Sequence, residues 1–203
     1  LRQQLLKQHV ERLDAVIFSH AHVDHIGGID DLRGINRAMN AAIPAYADFE
    51  TSCQLQERYG YVFKPLDEKA SIYYKPCLTL SKFNPGDEVN IGQISIKTID
   101  QDHGLSKSVG FRFENIAYTT DVKAFSAESF KALEGIDIWI VGAFTDKLHK
   151  THANLNEVQK WIKKIGPKRA IIAHMGPDLD YNDVLEKTQK NVIPAFDGMV
   201  VIG

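Results

Sequence analysis

Apolar residues recur at two spacings along this chain, and the two spacings alternate over most of its length. Apolar positions three and four residues apart predict helices. The predicted helices are Leu1–Val10, Ile29–Met39, Phe49–Tyr59, Ala127–Leu133, Leu155–Ile165 and Asn182–Gln189. Short apolar runs, continuous or alternating, predict strands. The predicted strands are Asp14–Ser19, Pro44–Tyr46, Val89–Ile91, Ile94–Ile96, Val109–Phe113, Ile116–Thr119, Asp137–Val141, Arg169–Ala173 and Met199–Ile202.

The order of these segments indicates the fold class. Strands follow one another between Cys77 and Tyr118, whereas strands and helices alternate on either side of that segment. Residues 61–76 have no clear period and are predicted to be irregular. A β meander joined to βα units favours an α/β fold in which helices cover two sheets, a four-layer αββα sandwich. A length of 203 residues suits one such domain, so residues 1–203 are predicted to form a single domain.

Charge and composition limit the classes of partner. The chain has 24 Lys and Arg against 26 Asp and Glu, a net charge of −2, so it has no general basic field for nucleic acid. Its apolar runs are too short to span a membrane, and no membrane partner is expected. Cys53 and Cys77 form no Cys-x-x-Cys pair, which favours free thiols in a reducing cytoplasm. Because the chain begins at Leu1 inside a predicted helix, we expect the natural protein to start earlier.

A dense group of metal-ligand residues follows the first predicted strand. The segment His20–His25 reads His-Ala-His-Val-Asp-His. In an extended chain residues i and i+2 point to the same side, so His20 and His22 are expected to converge on one point. The turn that follows can bring Asp24 and His25 to an adjacent point. Imidazole and carboxylate are the ligands that zinc and related divalent ions prefer.

Three more candidate ligands each lie just beyond a predicted strand. They are His103, Asp121 and His174. Because sites in α/β folds gather at strand ends, residues distant in sequence can meet there. His20, His22 and His103 would hold one metal ion, and Asp24, His25 and His174 a second. Asp121 would be the carboxylate that bridges the two ions.

This ordered pattern resembles that of the metallo-β-lactamase-fold hydrolases, and the resemblance runs from Asp14 to Gly203. It implies an αββα sandwich with a dinuclear metal site at one edge. His152, in His-Ala-Asn-Leu before a predicted helix, is similar to the additional histidine of the tRNase Z and 5-phosphoribosyl 1,2-cyclic phosphate phosphodiesterase branch. Relatives begin with further strands that this chain lacks, so the N-terminal strands of one sheet are expected to be missing.

The resemblance also implies a mechanism. Two divalent ions, Zn²⁺ or Mn²⁺, about 3.5–4 Å apart would share a hydroxide that attacks the phosphorus of a small cyclic or nucleotide-like phosphodiester. His152 and Asp24 are the predicted catalytic residues, and His152 would protonate the leaving oxygen. Candidates to hydrogen-bond the ligands are Asp102, Thr119 and Thr120.

Other interpretations remain open for single residues. Arg33, Tyr46 and His149 are candidate substrate contacts, but a surface charge, a strand-edge aromatic and a surface histidine are the alternatives. The surroundings of His152 also fit a helix cap. Taken alone, His103 and His174 would be interpreted as core histidines.

Three other functions remain open for the chain as a whole. They are a tRNase Z-like nuclease, a thioester or lactam hydrolase of the same fold, and a non-catalytic binding protein. A homodimer is also expected to be possible, because relatives often dimerise.

Overall fold

The computed structural model describes residues 1–202, which divide into two compact units. The first unit is Leu1–Asn84, and the second begins at Pro85. Each unit contains one β-sheet and one cluster of buried apolar side chains.

The first unit is built on a three-stranded parallel sheet in the order β1-β2-β3. The strands are β1 (Val16–Ile17), β2 (Ile43–Ala47) and β3 (Leu78–Lys82). The α-helices are α1 (Arg2–Lys7), α2 (Val23–Ile26), α3 (Arg33–Met39) and α4 (Phe49–Tyr59), and a 3₁₀-helix covers Ile29–Leu32. Asp48 caps α4 by accepting the backbone N–H of Thr51. Ile43, Ala45 and Ala47 are fully buried, so the core of this unit lies against one face of β2.

The second unit is built on a seven-stranded mixed sheet in the order β10-β9-β8-β7-β6-β5-β4. The strands are β4 (Glu88–Ile91), β5 (Ile94–Asp102), β6 (Lys107–Phe113), β7 (Ile116–Thr119), β8 (Ile138–Gly142), β9 (Arg169–Ala173) and β10 (Val192–Pro194). Strands β4 to β7 pair antiparallel and strands β7 to β10 pair parallel. Strands β5, β7, β8 and β9 therefore run in the same direction, and their carboxyl ends lie at one edge of the sheet.

Three helices accompany this sheet: α5 (Ala127–Ala132), α6 (Leu155–Ile165) and α7 (Tyr181–Lys187). Helix α6 begins with a capping box, in which Asn154 and Glu157 exchange side-chain-to-backbone hydrogen bonds, and it ends at Gly166 with φ of 71°. Its apolar face packs into a core that contains the fully buried Trp139.

Three sequence predictions are corrected by the structure. Met199–Ile202 is not a strand; the last strand is β10, which pairs with β9 through Val192 and Ala170. The side chains of Val200 and Ile202 are 74% and 82% exposed, so an apolar run without a strand to pair with stays outside the sheet.

The other two corrections concern the first unit. The strand predicted for Asp14–Ser19 contains only Val16–Ile17. The helix predicted for Leu1–Val10 contains only Arg2–Lys7.

Candidate metal centre

In the first unit, the ligand-type residues follow β1. His20 is buried, and His22 precedes the short helix α2, which carries Asp24 and His25. His20 Nε2 lies 3.0 Å from His22 Nδ1, and the ring centroids of His20 and His25 are 4.3 Å apart. His25 Nε2 lies 3.3 Å from Asp24 Oδ2. Three imidazoles and one carboxylate are thus grouped within six consecutive residues.

In the second unit, a carboxylate lies at the centre of three histidines. Asp121 is 2% exposed. Its Oδ1 lies 3.2 Å from His174 Nε2, and its Oδ2 lies 3.2 Å from His152 Nε2 and 3.7 Å from His103 Nε2. The three histidines come from different loops: His103 follows β5, His152 precedes α6 and His174 follows β9. The shared carboxyl edge of the strands explains why His103, Asp121 and His174 meet although they are far apart in sequence. His152 reaches the same place from the loop before α6.

The backbone is unusual where two of these residues leave the sheet. Asp121 and His174 have φ values of 49° and 52°, in the left-handed region that non-glycine residues rarely adopt. Gly142 ends β8 between them, and a Cβ at Gly142 would lie 3.2 Å from the Asp121 nitrogen and 3.7 Å from the His174 Cβ. The glycine leaves room for the backbone of Asp121 and the side chain of His174 beside it.

The hydrogen bonding of His103 fits a bound cation. Its Nδ1 lies 2.8 Å from the Thr151 carbonyl oxygen, which can only accept, so Nδ1 carries the hydrogen. In the neutral ring, Nε2 then presents a lone pair, and this atom faces Asp121 Oδ2. The Nε2 of His103 and the Oδ2 of Asp121 are then both acceptors, and they lie 3.7 Å apart. A cation bound between them would interact with both lone pairs. The donor set therefore fits a divalent metal ion.

A network of buried polar side chains fixes the position of Asp121. Gln101, fully buried, donates through Nε2 to Ser108 Oγ at 2.8 Å and to the Thr120 carbonyl at 2.7 Å. Ser108 Oγ donates to the Asp121 carbonyl at 2.8 Å. Thr120 Oγ1 donates to Asp121 Oδ1 at 2.7 Å. Both the backbone and the carboxylate of Asp121 are therefore oriented by hydrogen bonds in a water-poor environment.

Of the three residues predicted to support the ligands, only Thr120 contacts one. Thr119 accepts the indole N–H of Trp139, and Asp102 accepts the backbone N–H of Gly104 in the turn after β5. Gln101 and Ser108 were not among the residues predicted for the site. The signal available for Gln101 was its position two residues before His103, on the inward face of a strand.

The predicted substrate contacts lie in different surroundings. His149 is half-buried in the second unit, with Nδ1 3.3 Å from Nδ1 of His152. In the first unit, Arg33 is exposed on α3 and donates to the Tyr74 carbonyl at 3.4 Å, and Tyr46 is half-buried on β2. Phe144, which was not predicted as a site residue, stacks on His152 with ring centroids 4.6 Å apart.

Comparison with known proteins identifies the family. The model of the beta-lactamase superfamily domain matches residues 1–175. The chain belongs to this superfamily. The resemblance and the α/β fold class predicted from the sequence are both confirmed, and the metallo-β-lactamase fold implies divalent metal ions.

Three proteins of known name are similar to this chain. A diphosphatase from the PhnP family has a TM-score of 0.86 at 25% identity, over 98% of this chain and 74% of that one. The short form of human tRNase Z has a TM-score of 0.70 at 17% identity, over 99% and 84%, which shows the common fold. The octanoyltransferase of Porphyromonas gingivalis is 27% identical over 203 residues, 99% of this chain. The chain spans 40% of the length of that curated relative.

No helix in residues 1–202 combines the length and the apolar character that crossing a bilayer requires.

Proposed function

We propose that this chain is a metal-dependent phosphodiesterase that hydrolyses a small cyclic or nucleotide-like phosphodiester. One observation carries the proposal: Asp121 is buried among the Nε2 atoms of His103, His152 and His174, and is oriented by hydrogen bonds. Membership of the superfamily and the fold shared with a PhnP-family diphosphatase support it. Because one family model spans both units, residues 1–203 are proposed to act as one hydrolase domain.

The ligand-type residues of the two units are proposed to act as one set that holds two divalent ions, Zn²⁺ or Mn²⁺. His20, His22 and His103 would bind one ion, Asp24, His25 and His174 the other, and Asp121 both. Bound there, such ions supply Lewis acidity toward phosphoryl oxygens and lower the pKa of bound water to about 7. Each histidine contributes a neutral ring, which is the form that binds divalent ions.

The remaining chemistry comes from side chains of this chain. His152 presents Nε2 on the same side as Asp121 and is proposed to donate a proton to the departing sugar oxygen. Phe144 covers one face of the His152 ring and shields it from water. Asp24 is proposed to serve as a ligand and to accept a proton from the attacking water. His149, Arg33 and Tyr46 remain predicted substrate contacts.

The test is hydrolysis of bis(p-nitrophenyl) phosphate by metal-free protein, before and after addition of Zn²⁺ or Mn²⁺. Metal-dependent release of nitrophenol is expected. His152→Ala should keep its metal and lose turnover, whereas Asp121→Ala should lose both, as measured by equilibrium dialysis. His9→Asn, a replacement of an exposed histidine that suits its positive φ, is the control and should retain both.

Two results would contradict the proposal. Protein with two bound ions that releases no nitrophenol, but cleaves a thioester or a lactam in parallel assays, would be a hydrolase of another class. Loss of metal from His152→Ala would make this residue a ligand rather than a proton donor. A structured RNA is expected to be a poor substrate because the net charge is −2.

Two further predictions await measurement. The first is that the protein forms a homodimer, which light scattering would show as twice the mass of one chain. The second is a location in the cytoplasm, which fractionation of cells would test. The free thiols of Cys53 and Cys77 fit the reducing conditions of that compartment.

A further inference from the structure

The first two histidines of the segment His20–His25 differ in how strongly their surroundings hold them. His20 is buried, and its Nδ1 lies 3.2 Å from Ser19 Oγ, so burial and this contact restrict its ring. His22 is exposed and precedes α2. Burial does not fix such a side chain, so the backbone that carries it becomes important for its position.

The peptide unit between Ala21 and His22 determines where the His22 Cα lies. A peptide unit is planar, so the Ala21 carbonyl, the His22 nitrogen and the His22 Cα move together. Ala21 is 3% exposed and belongs to the apolar core of the first unit. A carbonyl buried at such a position requires a hydrogen-bond donor. Whatever group holds the Ala21 carbonyl therefore also holds the start of the His22 side chain.

Arg58 supplies that donor from the last turn of α4. Its Nη1 donates to the Ala21 carbonyl. Within residues 1–202, no backbone N–H donates to this oxygen. Leu55, on the same helix, is fully buried in the core that contains Ala21, and Arg58 Nη2 lies 3.4 Å from Gln54 Oε1. The buried face of the helix thus fixes the base of the Arg58 side chain, and Gln54 orients its guanidinium.

The charge of Arg58 does not favour a cation bound at the neighbouring histidines. A guanidinium is always protonated in proteins, and it repels a divalent ion. Loss of the charge alone would therefore raise the affinity for metal, whereas loss of a hydrogen bond that positions a ligand would lower it. The two effects have opposite signs, so measurement of metal affinity distinguishes them.

We propose that Arg58 is a positioning residue: by donating to the Ala21 carbonyl, it fixes the peptide plane that presents His22 to a bound divalent ion. In this role Arg58 contacts neither the ion nor the substrate. The inference rests on the proposed function for the role of His22 as a metal ligand, but it can be measured without turnover.

The first test is competition for Zn²⁺ between a chelator and the protein. Arg58→Ala should lower the affinity for Zn²⁺ about tenfold, within the roughly 10–100-fold that partners of metal ligands contribute. Arg58→Lys, which keeps a donor on a long side chain, should recover part of that loss. Arg12→Ala removes an exposed arginine of the same unit, whose partner is Asp14, and should match the parent. Circular dichroism verifies that each variant is folded.

A double-mutant cycle tests whether Arg58 acts through His22. His22→Ala removes the proposed ligand and should weaken Zn²⁺ binding more than Arg58→Ala does. Addition of Arg58→Ala to His22→Ala should then cause no further loss, because the ligand that Arg58 positions is already gone. A merely structural role would instead lower the affinity by the same factor in both backgrounds.

The hydrogen bond itself can be measured in metal-free protein. The carbonyl carbon of Ala21 is observed by NMR through its coupling to the His22 amide nitrogen. Because a donated hydrogen bond moves a carbonyl carbon downfield, this signal should move upfield in Arg58→Ala. In Arg58→Lys it should lie nearer to the parent, and in Arg12→Ala it should not move.

Four results would overturn the inference. They are unchanged or tighter Zn²⁺ binding by Arg58→Ala, no recovery in Arg58→Lys, an equal loss from Arg58→Ala in the His22→Ala background, and an Ala21 carbonyl signal that does not respond to Arg58. A parent protein that binds no Zn²⁺ would overturn both this inference and the proposed function. The expected order of affinities in a protein that hydrolyses no phosphodiester would uphold the role of Arg58 and overturn the proposed function alone.

Discussion

The amide of Gln101 rests directly on the backbone of Gly110: a Cβ at position 110 would lie 2.3 Å from Gln101 Oε1. These residues are on the paired strands β5 and β6, below Asp121. Both Nε2 hydrogens of Gln101 are donated within the network that orients Asp121. The absence of a side chain at Gly110 thus gives a buried glutamine the space to support a proposed metal ligand.

Gly110→Ala should therefore lower both stability and metal affinity. The new methyl would displace Gln101 Oε1 and would also lie 2.8 Å from Thr119 Cγ2, and overpacking of this kind costs about 1–3 kcal/mol. Urea unfolding of the metal-free protein measures the first effect, and competition with a chelator measures the second. Gly34→Ala is the control, since a Cβ there meets nothing within 4 Å and should stabilise α3 by about 0.5–1 kcal/mol. Equal stabilities for the Gly110 variant and the parent would contradict the close packing.

Ser108→Ala should destabilise the protein without changing its shape. The hydroxyl of Ser108 accepts from Gln101 and donates to the Asp121 carbonyl, so its removal leaves two buried polar groups unsatisfied. Such a loss costs about 1–3 kcal/mol, which urea unfolding detects. Ser95→Ala, at an exposed position on the same strand as Gln101, should change the free energy of unfolding by no more than about 0.5 kcal/mol. A similar small change at both serines would show that the network contributes little.

Asn154→Ala should weaken the start of α6. The side chain of Asn154 accepts the Glu157 N–H at 2.9 Å, and loss of such a cap costs about 1 kcal/mol. Asn154→Asp keeps an acceptor at the same place and should stay within a few tenths of a kcal/mol of the parent. Thermal and urea unfolding of the three proteins give the comparison. If aspartate proves as harmful as alanine, packing of the amide rather than capping determines stability there.

Tyr61 should add a pH-dependent term to stability in alkaline solution. Partial burial raises its pKa from 10.0 to about 12, and the hydrogen bond and charge of Asp30, 2.6 Å away, act in the same direction. Because the folded state holds this proton more tightly than the unfolded state, the stabilisation is complete below pH 10 and is lost as pH rises toward 12. The difference in unfolding free energy between the parent and Tyr61→Phe should be constant below pH 10 and shrink above it.

Absorbance titration gives an independent check of that shift. The late tyrosine step of the parent should be reduced in Tyr61→Phe, and in Asp30→Asn it should move to lower pH because the negative charge is gone. Tyr118, whose pKa is also raised by burial, remains in both variants and provides the internal reference. A difference in stability that does not vary with pH would refute the assignment.

Elements with local boundary signals were predictable from the sequence. The bounds of α4 and α6 agree with the prediction because Asp48 and Asn154 cap their first turns and Gly166 ends the second helix. Strand β9 agrees because it is a continuous apolar run between Pro167 and His174. In contrast, β10 was not predicted, because a three-residue strand that ends in proline has little apolar pattern. Its pairing with β9 depends on the tertiary structure and has no signal in the sequence.

For the candidate site, residue types were predictable and their relationships were not. His103, Asp121 and His174 could be identified because each follows a strand, and strands of one direction end at one edge. Phe144 could not, because its role depends on the path of a loop. For Gln101 the sequence offers only its position two residues before His103 on β5, and the close approach between β5 and β6 has no signal in the sequence.

At Asp121 and His174 the left-handed backbone favours glycine, whereas the proposed chemistry needs the aspartate and histidine side chains. At such φ values a Cβ costs about 1–2 kcal/mol, which glycine avoids. A library of variants sorted only for resistance to unfolding should accumulate glycine at both positions, and one sorted for turnover should not. Stability optimisation that ignores turnover would therefore remove the site first, unless these two positions are held constant.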